Sequence, residues 1–324
     1  MANPYGIPPE LKPEFAEILP EACAKTDMPE ILPPERPAPH TNKPNRTQVP
    51  TIGLVADVQG AALKPDARSD DGERTKAFAS ALPKLGQAVD AWRSVHKGEQ
   101  ALECVLSLGD IVEGHVDTPT TLADLDTVLG HLGRLTSDGV ETVHVVGNHC
   151  LKHIPRGVLL GRLGQRAAYF RRHLSDGWTL LVLDTTDLSH GDGRPEGAAE
   201  HAERDAFVAA TEKAGWPLGE GYMQRYNGAV SKAQLAWLEA ELAGCKARGE
   251  RVVVASHHCL VPGACRETHR CWNGEAVAKL LVDSSVVALA LAGHDHTGGH
   301  AEILYLFIYG GARPHGRARR GLIS

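Results

Sequence analysis

Cys104-Val-Leu-Ser-Leu-Gly-Asp110 is a short apolar run that ends on a glycine and an acid. A run of this length, aliphatic and without polar alternation, reads as a strand buried on both faces. The same grammar recurs along the chain. Residues 52–56 precede Asp57, residues 143–146 precede Gly147-Asn148-His149, and residues 180–183 precede Asp184. Residues 252–255 precede Ser256-His257, and residues 286–292 precede Gly293-His294. Amphipathic segments lie between them. Phe78, Leu82, Leu85, Val89 and Trp92 are spaced as one helical face, with Pro83 predicting a kink or a delayed start. Leu122, Leu125, Leu129 and Leu132 make a second stripe. Ser231-Lys-Ala-Gln234 reads as a capping box ahead of Leu235, Leu238 and Leu242. Strands alternating with helices predict an α/β layered domain.

Composition limits what such a domain does. Hydrophobic residues are 42% of the 324 and charged residues 23%, the ordinary globular range, which excludes a mostly disordered chain. No apolar run reaches the roughly 18–20 residues of a membrane helix. The net charge of -6 gives no footprint for nucleic acid or an anionic membrane, so a small-molecule partner is expected. Residues 1–50 hold 12 of the 20 prolines and read as an extended arm. They lack the basic and apolar regions of a secretory signal, which leaves the cytoplasm as the default location. The seven cysteines are scattered, as reduced thiols would be. A structural zinc site at Cys259, Cys265 and Cys271, near His257, His258 and His269, is the less favoured alternative, because such sites usually pair their ligands more tightly.

The polar residues that follow the strands carry the chemistry. In open α/β sheets ligands bind at the carboxyl ends of strands. Asp57, Gln59, Asp110, Asn148, His149, His257, His294 and His296 are all oxygen or imidazole donors in such positions. One of them alone would be a loop cap; the ordered set is a metal-binding pattern.

The series Asp57-x-Gln59, Gly109-Asp110, Gly147-Asn148-His149, Ser256-His257 and Gly293-His294-x-His296 resembles the calcineurin-like metallophosphoesterases. That resemblance implies a β-sandwich flanked by helices, with a binuclear metal site at the strand ends. Asp57, Gln59, Asp110 and His296 would hold one metal, and Asp110 would bridge to a second held by Asn148, His257 and His294. His149 would face the scissile phosphate. Two divalent ions carry more positive charge than two aspartates return, so a phosphate is attracted and its transition state stabilised. The amide of Gln59, where histidine is usual, is a harder ligand and favours Mn2+ or Mg2+.

With Gln59 in this context the chain looks like the manganese-dependent ADP-ribose/CDP-alcohol diphosphatase family. Further matching stretches are Leu183-Asp-Thr185, Asn227-Gly-Ala-Val-Ser231, Gln234-Leu-Ala-Trp-Leu238 and Trp272-Asn273. The Asn-Gly and Gln-Leu-x-Trp-Leu stretches are read as lying outside the needs of metal binding. The resemblance covers residues 51–300 and implies hydrolysis of ADP-ribose or CDP-alcohols to a nucleoside monophosphate. Cys271 and Trp272 are candidate substrate contacts. Other metallophosphoesterase activities, cyclic-nucleotide or phosphomonoester hydrolysis, and a non-catalytic scaffold are the alternatives. Cys150 stands where an acid usually follows the Asn-His pair, which takes a carboxylate partner from His149. Residues 303–309 form one last β-like run before a tail with Arg313, Arg317, Arg319 and Arg320, so residues 301–324 read as an atypical, shortened end. That shortening predicts an exposed sheet edge.

Overall fold

The computed structural model of the chain describes residues 49–62, 64–65, 67–68, 74–76, 78–98, 101–175, 177–303 and 306–310. The chain divides into two units, Met1–Asn45 and Arg46–Ser324, and every described residue lies in the second. Most of the proline-rich arm and the arginine tail, 311–324, therefore fall outside the described residues. The first half runs β1 (Ile52–Val55), β2 (Ala67–Arg68), β3 (Arg74–Lys76), α1 (Ala81–Lys97), β4 (Cys104–Ser107), α2 (Thr118–Thr136), β5 (Thr142–His144) and α3 (Arg156–Arg162). The second runs β6 (Phe170–His173), β7 (Trp178–Val182), α4 (Ala199–Lys213), α5 (Lys232–Arg248), β8 (Arg251–Ser256), α6 (Gly274–Ser284), β9 (Val287–Ala292), β10 (Gly299–Ile303) and β11 (Leu306–Gly310).

Two sheets carry the fold. A parallel sheet has the order β1-β4-β5, and a mixed sheet the order β10-β11-β9-β8-β7-β6. Successive side chains on a strand point to opposite faces, and the apolar residues sort accordingly. Cys104 and Leu106 pack with Leu180, Val182, Val253 and Ala255 in one cluster between the sheets. Val105, one residue out of phase, joins Leu85, Val89, Leu125, Val128 and Leu132 from α1 and α2. Leu181, Val252 and Val254 join Leu238, Leu242, Val277 and Leu281 from α5 and α6. The result is helix, sheet, sheet, helix: the β-sandwich flanked by helices that the resemblance implied.

Local chemistry explains the helix ends. Pro83 lies in the first turn of α1, where its missing N–H has no intrahelical partner to lose; the start is delayed rather than kinked. Phe78 is buried ahead of it. Asp117 caps α2 by accepting from the Thr120 N–H at 2.8 Å. The box at α5 is only half made. Ser231 Oγ accepts from the Gln234 N–H at 3.2 Å, but the Gln234 amide turns inward. It accepts from the Asp184 N–H at 2.8 Å and donates to Asp184 O at 3.0 Å, which satisfies backbone polar groups at the end of β7. The last β-like run also differs from expectation. β10 and β11 pair in antiparallel fashion, and β11 pairs in parallel with β9.

Among the described residues no helix is long and apolar enough to cross a membrane. Leu180 is fully buried between the sheets, whereas Leu54 on β1 is 45% exposed. Leu180→Ala is expected to cost about 2–5 kcal/mol, and Leu54→Ala to stay within about 0.5 kcal/mol, in urea denaturation of the two variants.

Candidate metal centre and active site

Strand register sets the site level. Val55 lies beside Ser107 and Ser107 beside His144, so β1, β4 and β5 end together; Ser256 lies beside Ala292, so β8 and β9 do as well. The chain past β1 is then stitched to the chain past β4. The N–H groups of Asp57, Gln59 and Gly60 donate to Gly109 O, Asp110 O and Ile111 O at 3.1, 2.8 and 3.1 Å. That ladder brings the first two candidate ligands to the third.

Asp110 is almost fully buried. Its Oδ1 accepts from the His149 N–H at 2.8 Å. Its Oδ2 has no hydrogen-bond partner and lies 3.2 Å from His257 Nε2. His257 Nδ1 donates to Leu108 O at 2.9 Å, so Nε2 faces the site, 3.0 Å from Asn148 Oδ1. Two oxygens and a ring nitrogen crowd one point. Burial lowers the His257 pKa, but the Asp110 carboxylate outweighs it and leaves it up, at about 9. Such a point fits a cation. Asp57, Asp110 and His257 offer ligand atoms within 4.8 Å of one another.

The remaining candidates close around this group. Asp57 accepts from the His294 N–H through both oxygens, at 3.0 and 2.9 Å, and His296 Nε2 stands 3.7 Å from Asp57 Oδ1. Burial first, then His258 and His257, hold the His294 pKa well below its usual value, which keeps the ring neutral as a ligand must be. Gln59 is buried next to Asp110 in the ladder above. Close approach requires Gly147, because a Cβ there would stand 2.1 Å from Asp110 Oδ1. The donor set of two carboxylates, two amides and three imidazoles fits two divalent ions. No cysteine joins a potential metal group among the described residues, and the six described cysteines are free, so the zinc alternative finds no support.

His149 keeps a carboxylate partner despite Cys150. Cys150 is buried, and burial with the nearby Asp110 pushes its thiol up to about 12. Glu113 takes the acid's place: its Oε2 lies 3.0 Å from His149 Nδ1, and its backbone oxygen 2.9 Å from the same nitrogen. Lys64 Nζ holds Glu113 Oε1 at 2.7 Å, and Lys152 Nζ approaches His149 Nδ1 at 2.7 Å. The signal for Glu113 was in plain view, an acid three residues beyond Asp110 in one loop.

Other readings need correction. Cys271 and Trp272 are packed inside; burial pushes the Cys271 thiol up to about 12. The Trp272 indole N–H donates to Gln224 O at 3.1 Å and its ring stacks on Phe207 at 6.2 Å. Tyr226, 42% exposed, is the aromatic next to the candidate ligands: its ring lies 5.6 Å from His269 and 5.7 Å from His294. Asp295, between the two candidate ligand histidines, is structural: it accepts from the Arg266 N–H at 2.6 Å and from Thr297 Oγ1 at 2.7 Å. His258 joins the imidazole group but is occupied on both nitrogens, by Thr185 Oγ1 at 2.9 Å and Tyr226 O at 3.2 Å. Beside Lys152 opens a cleft of about 760 Å³ lined by Thr118, His153, Gly157 and Arg194 among others.

The calcineurin-like phosphoesterase family profile matches residues 50–298. A manganese-dependent ADP-ribose/CDP-alcohol diphosphatase of Oryza sativa subsp. japonica is 30% identical over 262 residues, 78% of this chain and 78% of the relative. The Danio rerio protein of that name is 30% identical over 280 residues, 77% of this chain and 82% of its own length. The crystal structure of a dimetal phosphatase from Danio rerio superposes with a TM-score of 0.68 at 28% identity, covering 81% of this chain and 87% of that one. This chain belongs to the manganese-dependent ADP-ribose/CDP-alcohol diphosphatase family of calcineurin-like phosphoesterases.

Burial raises the Glu113 pKa, but the bonds from His149 and Lys64 outweigh it and leave it at about 2. A carboxylate depressed below its unfolded value of about 4.3 stabilises the fold above that value and loses the contribution as pH falls toward 2. Glu113→Gln is therefore expected to lower the urea midpoint at pH 7, with the gap to wild type narrowing between about pH 4.3 and 2. A constant gap across that range would remove Glu113 from the pair.

Proposed function

We propose that this chain hydrolyses the diphosphate of ADP-ribose and of CDP-alcohols such as CDP-choline and CDP-glycerol. The products are AMP or CMP and the phosphorylated sugar or alcohol. The observation that carries the reading is a buried Gln59 whose backbone is bonded to Asp110: an amide stands where imidazole is usual, in a chain aligned over most of its length with diphosphatases named for manganese. Asp57, Gln59, Asp110 and His296 would hold one ion and Asp110, Asn148, His257 and His294 the other; Mn2+ is the expected metal and Mg2+ the alternative. When bound, the ions supply Lewis-acid stabilisation of the phosphoryl oxygens and a water of lowered pKa.

The chain's own residues do the rest. Glu113 takes the Nδ1–H of His149 and fixes the ring, so Nε2 faces the substrate. In its charged form His149 gives the Nε2 proton to the oxygen of the departing phosphate, and the Glu113 carboxylate stabilises the imidazolium. Lys152 adds positive charge on the Nδ1 side of His149, next to Glu113. The cleft that begins at Lys152 gives the departing half room. Tyr226, half-exposed beside His294, offers an aromatic face to a nucleobase. The scaffold alternative loses its support from Cys150, because the partner it seemed to lack is present in Glu113.

The test is a hydrolysis assay on metal-stripped protein with Mn2+, Mg2+ and Zn2+ titrated against ADP-ribose, CDP-choline, cyclic AMP and p-nitrophenyl phosphate. Mn2+-dependent release of AMP and CMP is expected; turnover of cyclic AMP or the monoester alone would overturn the assignment. His149→Ala is expected to lower kcat by about 10²–10⁴-fold with both metals still bound. Gln59→His is expected to keep the fold and move metal preference away from Mn2+.

A further inference from the structure

Asn227 belongs to the Asn-Gly stretch that the sequence places outside metal binding, and the structure puts it against a ligand. It is fully buried. Its Nδ2 donates to two backbone carbonyls, Tyr222 O at 2.9 Å and Thr268 O at 3.0 Å. Two carbonyls accept only, so that end of the amide is the nitrogen and the other end is the oxygen. The oxygen, Oδ1, lies 2.8 Å from His294 Nε2. It can only accept there, so Nε2 carries the proton and the lone pair of His294 is on Nδ1.

We infer that Asn227 is a positioning residue: its buried amide oxygen holds the Nε2–H of His294, which orients the ring and presents Nδ1 to a divalent ion. The inference deepens the proposed function and rests on His294 as a ligand. An acceptor on the far nitrogen of a ligand histidine fixes its tautomer and raises its basicity.

The surroundings serve the same end. The ring of His258 meets that of His294 edge-on at 4.5 Å and 77°, and His257 does so at 4.9 Å and 64°. Gly228 lets the strip pass close: a Cβ there would stand 2.5 Å from Thr185 O. The Trp272 N–H donates to Gly228 O at 2.8 Å. The Asn273 amide brackets Val230, accepting from its N–H at 2.9 Å and donating to its oxygen at 2.7 Å. Thus Asn227, Gly228, Trp272 and Asn273, none of them a ligand candidate by its side chain, are joined in one brace behind His294.

The test separates an acceptor role from a merely structural one. Mn2+ binding is read by the electron paramagnetic resonance of free Mn2+, and stability by thermal unfolding, for wild type, Asn227→Ala and Asn227→Asp. The alanine variant lacks the acceptor and is expected to bind one of the two ions about 10–100-fold more weakly. The aspartate variant keeps an acceptor but turns a carboxylate oxygen toward Tyr222 O and Thr268 O. It is expected to lose thermal stability yet hold Mn2+ within a few-fold of wild type. Affinity that follows stability, with both variants weakened alike, would overturn the inference, as would wild-type affinity in Asn227→Ala. Should the variants fail to fold, the wild type decides. In EDTA, ¹⁵N-histidine spectra compared with those of Asn227→Ser should show a slowly exchanging Nε2–H on His294; an Nδ1–H there overturns the inference. Wild type that binds two Mn2+ and leaves ADP-ribose intact would sink the proposed activity while leaving this bond standing.

Discussion

The Asp110 carboxylate is the point on which the site depends. It is buried at the meeting of three loops, and each loop is tied to a different part of it. Oδ1 takes the His149 N–H, Oδ2 faces His257, and the backbone oxygen takes the Gln59 N–H. Burial of a charge is unfavourable unless neighbours compensate. Here burial raises its pKa, but His257 and His149 outweigh that and hold it below the usual carboxylate range. The same three loops bring Asp57, Gln59, Asn148 and His257, and a fourth, after β9, brings His294 and His296, so the condition that keeps Asp110 charged also helps to assemble the centre. Removing that charge would do more than subtract a ligand; it would release the contacts that align the loops.

That assembly carries a local cost. Asp57, Gln59, Asp110 and His294 all have positive φ, between 44° and 69°. Non-glycine residues in this region cost of order 1–3 kcal/mol each, and here the four are candidate ligands. The strain follows from geometry: a strand leaving the sheet must turn at once to point its next side chain across the sandwich rather than along it. The two sheets and their three apolar clusters supply the rigidity that holds these turns. A sandwich with ends level on both sheets is thus a reason for the site, not only a platform beneath it.

Much of the fold was legible because buried strands betray themselves by unbroken apolar runs, as residues 252–255 and 180–183 do. The pairing of β10 with β11 was not, since β10 begins with Gly299-His300 and has no apolar run of its own. Gln234 misled for a related reason. Its spacing from Ser231 satisfies the capping pattern, but a buried amide goes where unpaired backbone groups are, and those were at Asp184 across 50 residues of chain. Cys271 and Trp272 were credible as contacts by their place in a loop; their burial is a property of packing that spacing does not encode.

The site divides along the same line. Candidate ligands lie within a few residues of a strand end, so a one-dimensional rule finds them. Their supports obey only distance in space. Glu113 reaches His149 across 36 residues and Asn227 reaches His294 across 67. A histidine needs an acceptor at its second nitrogen, not a particular neighbour in sequence, so any loop that passes near enough can supply one. Cys150 illustrates the freedom this allows: the position after His149 became apolar and buried, and the carboxylate came from the loop after β4, which already runs beside it to deliver Asp110. Departure from a motif at a supporting position is therefore weak ground for doubting a site, whereas departure at Asp110, where three loops meet on one residue, would be strong ground.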